Sequence, residues 1–278
     1  DLNQETINKL NINYIPLEFN INDNNYFNYL DQREISHKDF YNLIREKAVG
    51  TTSMIGMMRF IEFFEPYLKA GFDILYIAFS SGLSGTYDQA RLAKRELLER
   101  YSERKINIID SKAATLGQGQ LVIQAIKLQN EGKSLDEVSK EIELLKGKIV
   151  HIVAVYDMGV LKRGGRISGT TAALASIMNI KPILHINDEG HLVALKKARG
   201  RKQSLRLLIE SARERIIEPE NKTAFIVHGD DEETANEIAG VLRSEFKFKE
   251  VITEYIGPVI GAHSGPNTIG ITFIGGFR

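Results

Sequence analysis

The sequence contains no cysteine, no excess of charge of either sign and no long hydrophobic run. The absence of cysteine excludes disulfides, thiolate catalysis and cysteine-ligated zinc, and it fits a reducing compartment. Lys and Arg number 36, as do Asp and Glu, so the net charge is zero, which argues against a nucleic-acid partner. No stretch approaches the roughly 18 apolar residues of a membrane span, and no basic-then-apolar leader opens the chain. We expect a cytoplasmic protein with no integral membrane segment.

The fold class expected from the pattern of elements is α/β with two domains. A chain of 278 residues gives two domains ample core, and the pattern changes after Gly147. Residues 1–147 alternate predicted strands, the first at Ile12–Phe19, with helices, which favours a parallel sheet in an α/β/α domain. Residues 148–278 combine about six strands and several helices, including one at Ser168–Met178. Mixed strand order predicts an α+β domain with a largely antiparallel sheet.

The most informative stretch is a short apolar run, Asp73–Phe79, followed by Ser80-Ser81-Gly82-Leu83-Ser84-Gly85-Thr86-Tyr87. The run predicts a buried strand, and a helical pattern begins directly after the Gly/Ser loop. A loop of this kind at a helix N-terminus favours anions, because free backbone N–H groups and the helix dipole point outward there. Two simpler interpretations remain: Ser84 is an ordinary N-cap, or the loop is only a tight connection.

A second hydroxyl cluster, Thr51-Thr52-Ser53, precedes a helix predicted from Met54 to about Lys69. The apolar residues of this helix cover well over half its circumference, so we expect burial on more than one side. Conformable side chains of this type suit a pocket for an irregular apolar ligand. The candidate lining residues are Met54, Met57, Met58 and Phe79. A plain core helix is the alternative.

The second half of the chain contains three segments with chemistry of interest. Six basic residues and no acidic one lie between Lys196 and Arg206, which indicates a phosphate or acidic-partner site or a solvated loop. The acidic run after His228 is interpreted as helix caps and dipole partners, not as a metal site. Three Gly and two Pro between Ile256 and Thr268 predict a rigid loop. Within it, His263 is suited to donate to an anion, to act as a base, or simply to bond local backbone.

Six stretches, in the right order over essentially the whole chain, resemble the bacterial DegV family of fatty-acid-binding proteins. They are Thr52-Ser53, Ser80-Ser81-Gly82-Leu83-Ser84-Gly85-Thr86-Tyr87, Asp110-Ser111-Lys112, Gly164-Gly165-Arg166-Ile167-Ser168, Lys181-Pro182-Ile183-Leu184 and Gly257-Pro258-Val259-Ile260-Gly261-x-His263-x-Gly265-Pro266. The family normally begins with a strand and Ser-Asp-Ser-x-x-Asp-Leu, of which only Asp1-Leu2 is present here. We therefore expect the first strand of the family's sheet to be missing from this sequence.

The resemblance implies a non-enzymatic protein that binds a long-chain fatty acid between its domains, with no cofactor or metal. The residues it implies for the acid are Thr52, Ser53, Ser84, Gly85 and His263. It also implies presentation of the carboxylate to a separate ATP-dependent fatty acid kinase for acyl-phosphate formation. The sequence has no nucleotide-binding motif of its own. Arg166 and Arg199 are the candidates for phosphotransfer or kinase docking, because arginine pairs bidentately with phosphate and carboxylate.

Two other classes of function remain as hypotheses. A serine hydrolase of lipid or acyl substrates would use Ser84 and His263, but the Gly-x-Ser-x-Gly spacing is absent and no acidic third member of a triad is identifiable. A regulator that binds nucleic acid would use the Lys196–Arg206 cluster, although the neutral chain argues against it.

Overall fold

The secondary structure is taken from a computed structural model, which describes residues 1–167 and 180–278. The helix predicted at Ser168–Met178 lies outside these residues. Before residue 149 the elements are α1 (Gln4–Leu10), β1 (Glu18–Ile21), β2 (Asn24–Phe27), α2 (His37–Arg45), β3 (Gly50–Ser53), α3 (Met57–Lys69), β4 (Ile74–Ala78), α4 (Thr86–Arg100), β5 (Ile106–Asp110), α5 (Thr115–Asn130) and α6 (Leu135–Leu145). From residue 149 they are β6 (Ile149–Ala154), α7 (Met158–Gly164), β7 (Ile180–Ile186), β8 (Leu192–Arg199), α8 (Gly200–Arg213), β9 (Thr223–His228), α9 (Glu232–Ser244), β10 (Glu250–Tyr255), α10 (Pro258–Ser264) and β11 (Ile269–Ile274).

Strands β4 and β5 pair in parallel and form the centre of an α/β/α arrangement. One core cluster joins Phe60 and Phe64 of α3 to Leu97 of α4 and Ile106 of β5. On the opposite face, a second cluster joins the same two strands to α5 and α6. Alternate residues of a strand point to opposite faces, so each strand supplies both clusters. The predicted parallel sheet between helices is confirmed.

The second half of the chain forms a six-stranded sheet in the order β10-β9-β11-β6-β7-β8. Of its pairs, β9–β10 is parallel and the others are antiparallel. Strands β7 and β8 form a hairpin, with Gly190 in its turn at φ +85°. The largely antiparallel α+β sheet is therefore confirmed. Within residues 1–167 and 180–278, every helix is too short or too polar to span a membrane.

Three local predictions from the sequence are wrong. The strand predicted at Ile12–Phe19 begins only at Glu18 and pairs with β2 and β3 in a small antiparallel sheet. Thr51-Thr52-Ser53 does not open a helix, because it lies in β3 and pairs with β1. The segment predicted as a rigid loop after Ile256 contains the short helix α10, with Pro258 at its first position, where a missing N–H costs nothing.

Elements from the two halves of the chain pack directly against each other at α10. Val259 and Ala262 of α10 join a buried cluster with Phe19 of β1 and Phe40 of α2. A Cβ added at Gly50 in β3 would lie 2.9 Å from the Ala262 Cβ. Because the backbones of β3 and α10 approach this closely, residues just after Gly50 lie beside the last turn of α10.

Candidate functional site

Thr52 and His263 form a hydrogen bond between the two halves of the chain. The Thr52 Oγ1 lies 2.7 Å from the His263 Nε2. On its other side, the His263 Nδ1 lies 3.1 Å from the Gly164 carbonyl oxygen. A Cβ added at Gly164 would be 2.9 Å from this same Nδ1. Glycine at position 164 therefore lets the backbone approach the imidazole closely.

The carbonyl of Gly164 fixes the tautomer of His263. A carbonyl oxygen can only accept, so the Nδ1 carries the proton and donates it. Burial lowers the pKa of His263, the Arg166 guanidinium lowers it further, and the bond to Gly164 raises it in part. The imidazole is therefore neutral near pH 7, and its Nε2 accepts a hydrogen bond from the Thr52 hydroxyl.

Arg166 lies beside this pair. Its Nη1 donates to the Gly164 carbonyl oxygen at 2.9 Å, the same oxygen that accepts from His263. The guanidinium supplies a positive charge next to an otherwise neutral group of hydroxyl and imidazole. Thr52, His263 and Arg166, which lie far apart in the sequence, are thus gathered at one place around one carbonyl.

The loop from Ser80 to Gly85 ends at α4, whose N-cap is Gly85 and has no side-chain cap. Ser84 is therefore not the N-cap. Its Oγ accepts from the Thr86 N–H at 3.3 Å and lies 3.0 Å from the Thr86 Oγ1. A Cβ at Gly85 would lie 2.9 Å from the Met54 Sδ, so this loop contacts the chain segment two residues after Thr52. The helix start and the β3 segment therefore adjoin.

The Ser80–Gly85 loop is also held by the second half of the chain. The buried Ser80 hydroxyl donates to the Gly190 carbonyl oxygen at 2.8 Å. A Cβ at Gly82 would lie 2.6 Å from the backbone carbonyl of Gly190. The β7–β8 hairpin turn thus fixes the loop that carries Ser84.

A cavity of about 850 Å³ is lined by Thr86 but not by Thr52, Ser84 or His263, the polar group of this site. Its lining includes Ile55, Phe63, Phe64, Tyr76, Phe79, Thr86 and Val122. It runs along the edge of β4 that faces away from β5, an edge without a strand partner among the described residues. The cavity reaches the polar group at Thr86, which is 2% exposed. A ligand that fills it would have an apolar body and a polar end at the start of α4.

The predicted site residues differ in where they lie. Ser53 is exposed, and strand alternation directs its side chain away from the face of Thr52. Phe79 lines the cavity, but Met54, Met57 and Met58 are not among its lining residues. Met54 and Met58 are 53% and 59% exposed, whereas Met57 packs against the core beside α3.

The basic cluster separates into paired and unpaired cations. Lys196 pairs with Glu214 at 2.6 Å, Arg206 with Glu210 at 3.5 Å, and Arg201 with Asp231. The exposed members Lys197, Arg199 and Lys202 form no ion pair with any residue in the described ranges. The unpaired three are available to an acidic partner.

The acidic run after His228 is held by arginines. Asp230 pairs with Arg45 at 2.5 Å, and the side chain of Asp231 pairs with Arg201 instead of capping α9. Across residues 1–167 and 180–278, no group of three or more His, Asp or Glu is placed to hold a metal ion.

The geometry does not favour the hydrolase hypothesis. The His263 Nε2 faces Thr52 and its Nδ1 faces a backbone carbonyl, where a triad needs a serine and a carboxylate. The Ser84 hydroxyl is bonded to Thr86.

Sequence reasoning missed Thr86 and Gly164 as members of this site. Both lie inside the motifs that carry the family resemblance. However, the cavity residues beside Thr86 and the His263 imidazole beside Gly164 come from distant parts of the chain, so these contacts are not visible in the local sequence. The only signal in the sequence was position: Thr86 follows a Ser-Gly pair, and Gly164 precedes Gly165 and Arg166.

Fold and site together define an α/β protein with a polar site built from both halves of the chain and a largely apolar cavity that meets this site at Thr86. Comparison with known proteins identifies the family. The family model described as "Uncharacterised protein, DegV family" matches residues 1–275, and the chain belongs to the DegV family.

Similar proteins match over nearly their whole length. A DegV domain-containing protein of Clostridium perfringens is 44% identical over 99% of this chain and 94% of its own. A DegV family protein from Thermus thermophilus, whose structure is described as showing fatty acid binding, has 30% identity and a TM-score of 0.87, with 99% and 96% of the two chains covered. DegV of Bacillus subtilis, described as a fatty acid binding protein, has 28% identity and a TM-score of 0.81, with 100% and 95% covered.

Proposed function

We propose that this protein binds a long-chain fatty acid non-covalently, with the carboxylate at Thr52, Ser84 and His263 and the tail in the cavity. The observation that carries the proposal is the position of Thr86. This residue lines the apolar cavity and is bonded to Ser84 of the polar group. A ligand spanning the two must combine a long apolar part with a compact polar end. The Thermus thermophilus and Bacillus subtilis proteins, described as fatty acid binding, support the same ligand class.

The polar group has the donors that a buried carboxylate needs. Burying a charge without partners is prohibitively costly, and charged hydrogen bonds offset that cost. The Ser84 hydroxyl is one donor, and the Thr52 hydroxyl becomes a second when His263 takes up a proton at Nε2 and donates to the Thr52 Oγ1. The N-terminus of α4 lacks a side-chain cap. Its Thr86 N–H is bonded to Ser84, so the helix dipole and the next N–H groups are what it offers an anion. Arg166 adds a full positive charge close to His263.

The tail supplies most of the affinity. The cavity lining includes apolar side chains such as Ile55, Phe63 and Phe64, which suit an acyl chain. Burial gains roughly 0.8 kcal/mol per methylene, or about 11 kcal/mol for about 14 methylenes, before the costs of association. The polar group therefore contributes less to the binding free energy than the tail does, and its main role is to orient the acid.

The proposal includes presentation of the carboxylate to a separate ATP-dependent fatty acid kinase. Arg166 is exposed and adjoins the head-group residues, where it would stabilise charge on a transferring phosphoryl group. Arg199 is exposed, lies at the start of α8 and belongs to the three unpaired cations, which suits contact with an acidic face of the kinase.

Denaturing extraction of the purified protein followed by mass spectrometry tests ligand binding. We expect one long-chain fatty acid per chain, or uptake of one on titration. The Thr52→Val/Ser84→Ala variant is the matched control, since it removes two donors and leaves the cavity intact. A wild-type protein that carries no acid and takes up none would contradict the proposal, as would equal affinities of the wild-type protein and the variant for a titrated fatty acid.

A further inference from the structure

Thr86 combines three features that an ordinary helix-start threonine does not need. It is 2% exposed, it lines the cavity, and its hydroxyl lies 3.0 Å from the Ser84 Oγ. The N-cap of α4 is Gly85, so the Thr86 hydroxyl is not required to cap the helix. Among the described residues, Ser84 is the only one whose side chain or backbone forms a hydrogen bond with the Thr86 Oγ1.

The protons of these two hydroxyls can be assigned by counting donors. The Ser84 Oγ already accepts from the Thr86 backbone N–H at 3.3 Å. A hydroxyl has one proton to donate and two lone pairs with which to accept. If Ser84 gives its proton to Thr86, it has no proton left for a carboxylate. If Thr86 instead donates to Ser84, both Ser84 lone pairs are occupied and its proton points to the ligand.

We infer that Thr86 is a positioning residue that commits the Ser84 hydroxyl to donate to an anionic head group. Without Thr86, the second lone pair of Ser84 is free, so its hydroxyl can rotate and present either a proton or a lone pair. With Thr86 donating, the two hydroxyls form a directed chain that ends on the carboxylate, and each bond polarises the next. Thr86 thus favours carboxylates over neutral head groups that must donate a proton of their own. This inference rests on the proposed function.

Thr86 lies between the head-group residues and the cavity, which is where a residue must lie to affect the choice between a carboxylate and a neutral head group. Thr86 lines the cavity together with side chains such as Ile55 and Phe79, and its hydroxyl contacts Ser84. Replacement by valine keeps the shape and the backbone N–H bond to Ser84 but removes the donor. Replacement by serine keeps the donor and removes the methyl group. These two variants separate the polar effect from the packing effect.

The test measures affinity for a fatty acid and for the fatty alcohol of equal chain length. We expect Thr86→Val to weaken acid binding roughly three- to tenfold, the range of a net hydrogen bond, with alcohol binding unchanged or improved. Thr86→Ser should weaken both ligands by the same factor and so preserve their ratio. On a Ser84→Ala background, Thr86→Val should cause no further loss in acid binding, because the residue acts through Ser84.

Two outcomes would overturn the inference. One is an unchanged acid-to-alcohol ratio in Thr86→Val. The other is a full additional loss on the Ser84→Ala background, which would mean that Thr86 acts independently of Ser84. Failure of the wild-type protein to bind any fatty acid is a different result, because it contradicts the proposed function itself.

Discussion

Thr52 and His263 stand 211 positions apart in the sequence, yet their side chains meet at 2.7 Å. The bond links β3, in the small antiparallel sheet of the N-terminal half, to the last turn of α10 in the C-terminal half. Because His263 is itself fixed by the Gly164 carbonyl, Thr52 is oriented by two segments of the other half. Head-group binding is therefore expected to depend on how the two halves pack.

Thr52→Val should weaken fatty-acid binding roughly ten- to hundredfold, as expected for a hydrogen bond to a charged group. Valine has the shape of threonine but cannot donate. Thr51→Val is the control, because Thr51 is exposed and its side chain alternates away from that of Thr52 in the same strand. Displacement of a fluorescent fatty acid measures both. Equal affinities in the two variants would count against a head-group role for Thr52.

Binding should be accompanied by uptake of up to one proton at His263. In the free protein, burial and Arg166 lower the pKa of His263, while a carboxylate bound nearby raises it. The bound state then holds more protons, so affinity increases as the pH falls through the bound-state pKa and levels off below the free-state pKa. Protonation at Nε2 would let His263 donate to Thr52, whose hydroxyl proton is then free for the carboxylate.

The proton uptake can be measured by titration calorimetry in two buffers that differ in ionisation enthalpy. The pH dependence should approach a tenfold change in affinity per pH unit at most, the limit for one linked proton. His263→Gln, which keeps a polar side chain but does not titrate, should abolish the buffer dependence. A wild-type protein with no buffer dependence, or a variant that retains it, would show that His263 is not the linked group.

Arg199→Ala should leave fatty-acid occupancy unchanged but reduce acyl-phosphate formation in a reconstituted kinase assay. Arg199 is exposed and forms no ion pair in the part of the chain that the structure describes, so its removal does not disturb the fold. Lys127→Ala is a matched control, as it removes an exposed cation that lies in α5, outside this cluster. Loss of the bound acid, with turnover per bound acid unchanged, would refute a role for Arg199 in presentation.

Gly82→Ala should destabilise the protein by about 1–3 kcal/mol, the usual cost of overpacking, and Gly85→Ala by less. The new Cβ at position 82 would lie 2.6 Å from the backbone of Gly190, whereas at position 85 it would meet the Met54 Sδ at 2.9 Å. A methionine side chain can move aside, but the hairpin backbone cannot do so cheaply. Urea unfolding measures the difference. Equal losses would mean that the hairpin turn does not hold the loop rigidly.

Local patterns in the sequence were sufficient for much of the fold. The strand, Gly/Ser loop and helix around Ser84 were predicted as they are found at β4 and α4. These signals succeed because helix caps, hairpin turns and apolar periodicity act over a few neighbouring residues. Thr51–Ser53 was misjudged because three hydroxyl residues have no helical or strand signal until they pair with β1.

The sequence by itself determined the α/β class, the strand, loop and helix around Ser84 and, through its resemblance to the DegV family, the residues expected at the head group. Tertiary structure alone decided that the Thr52 hydroxyl meets the His263 Nε2, that the Gly164 carbonyl sets the tautomer, and that Thr86 stands between the cavity and Ser84. The physical reason is that hydrogen-bond direction and burial depend on atoms brought together from distant parts of the chain, within tolerances of a few tenths of an ångström.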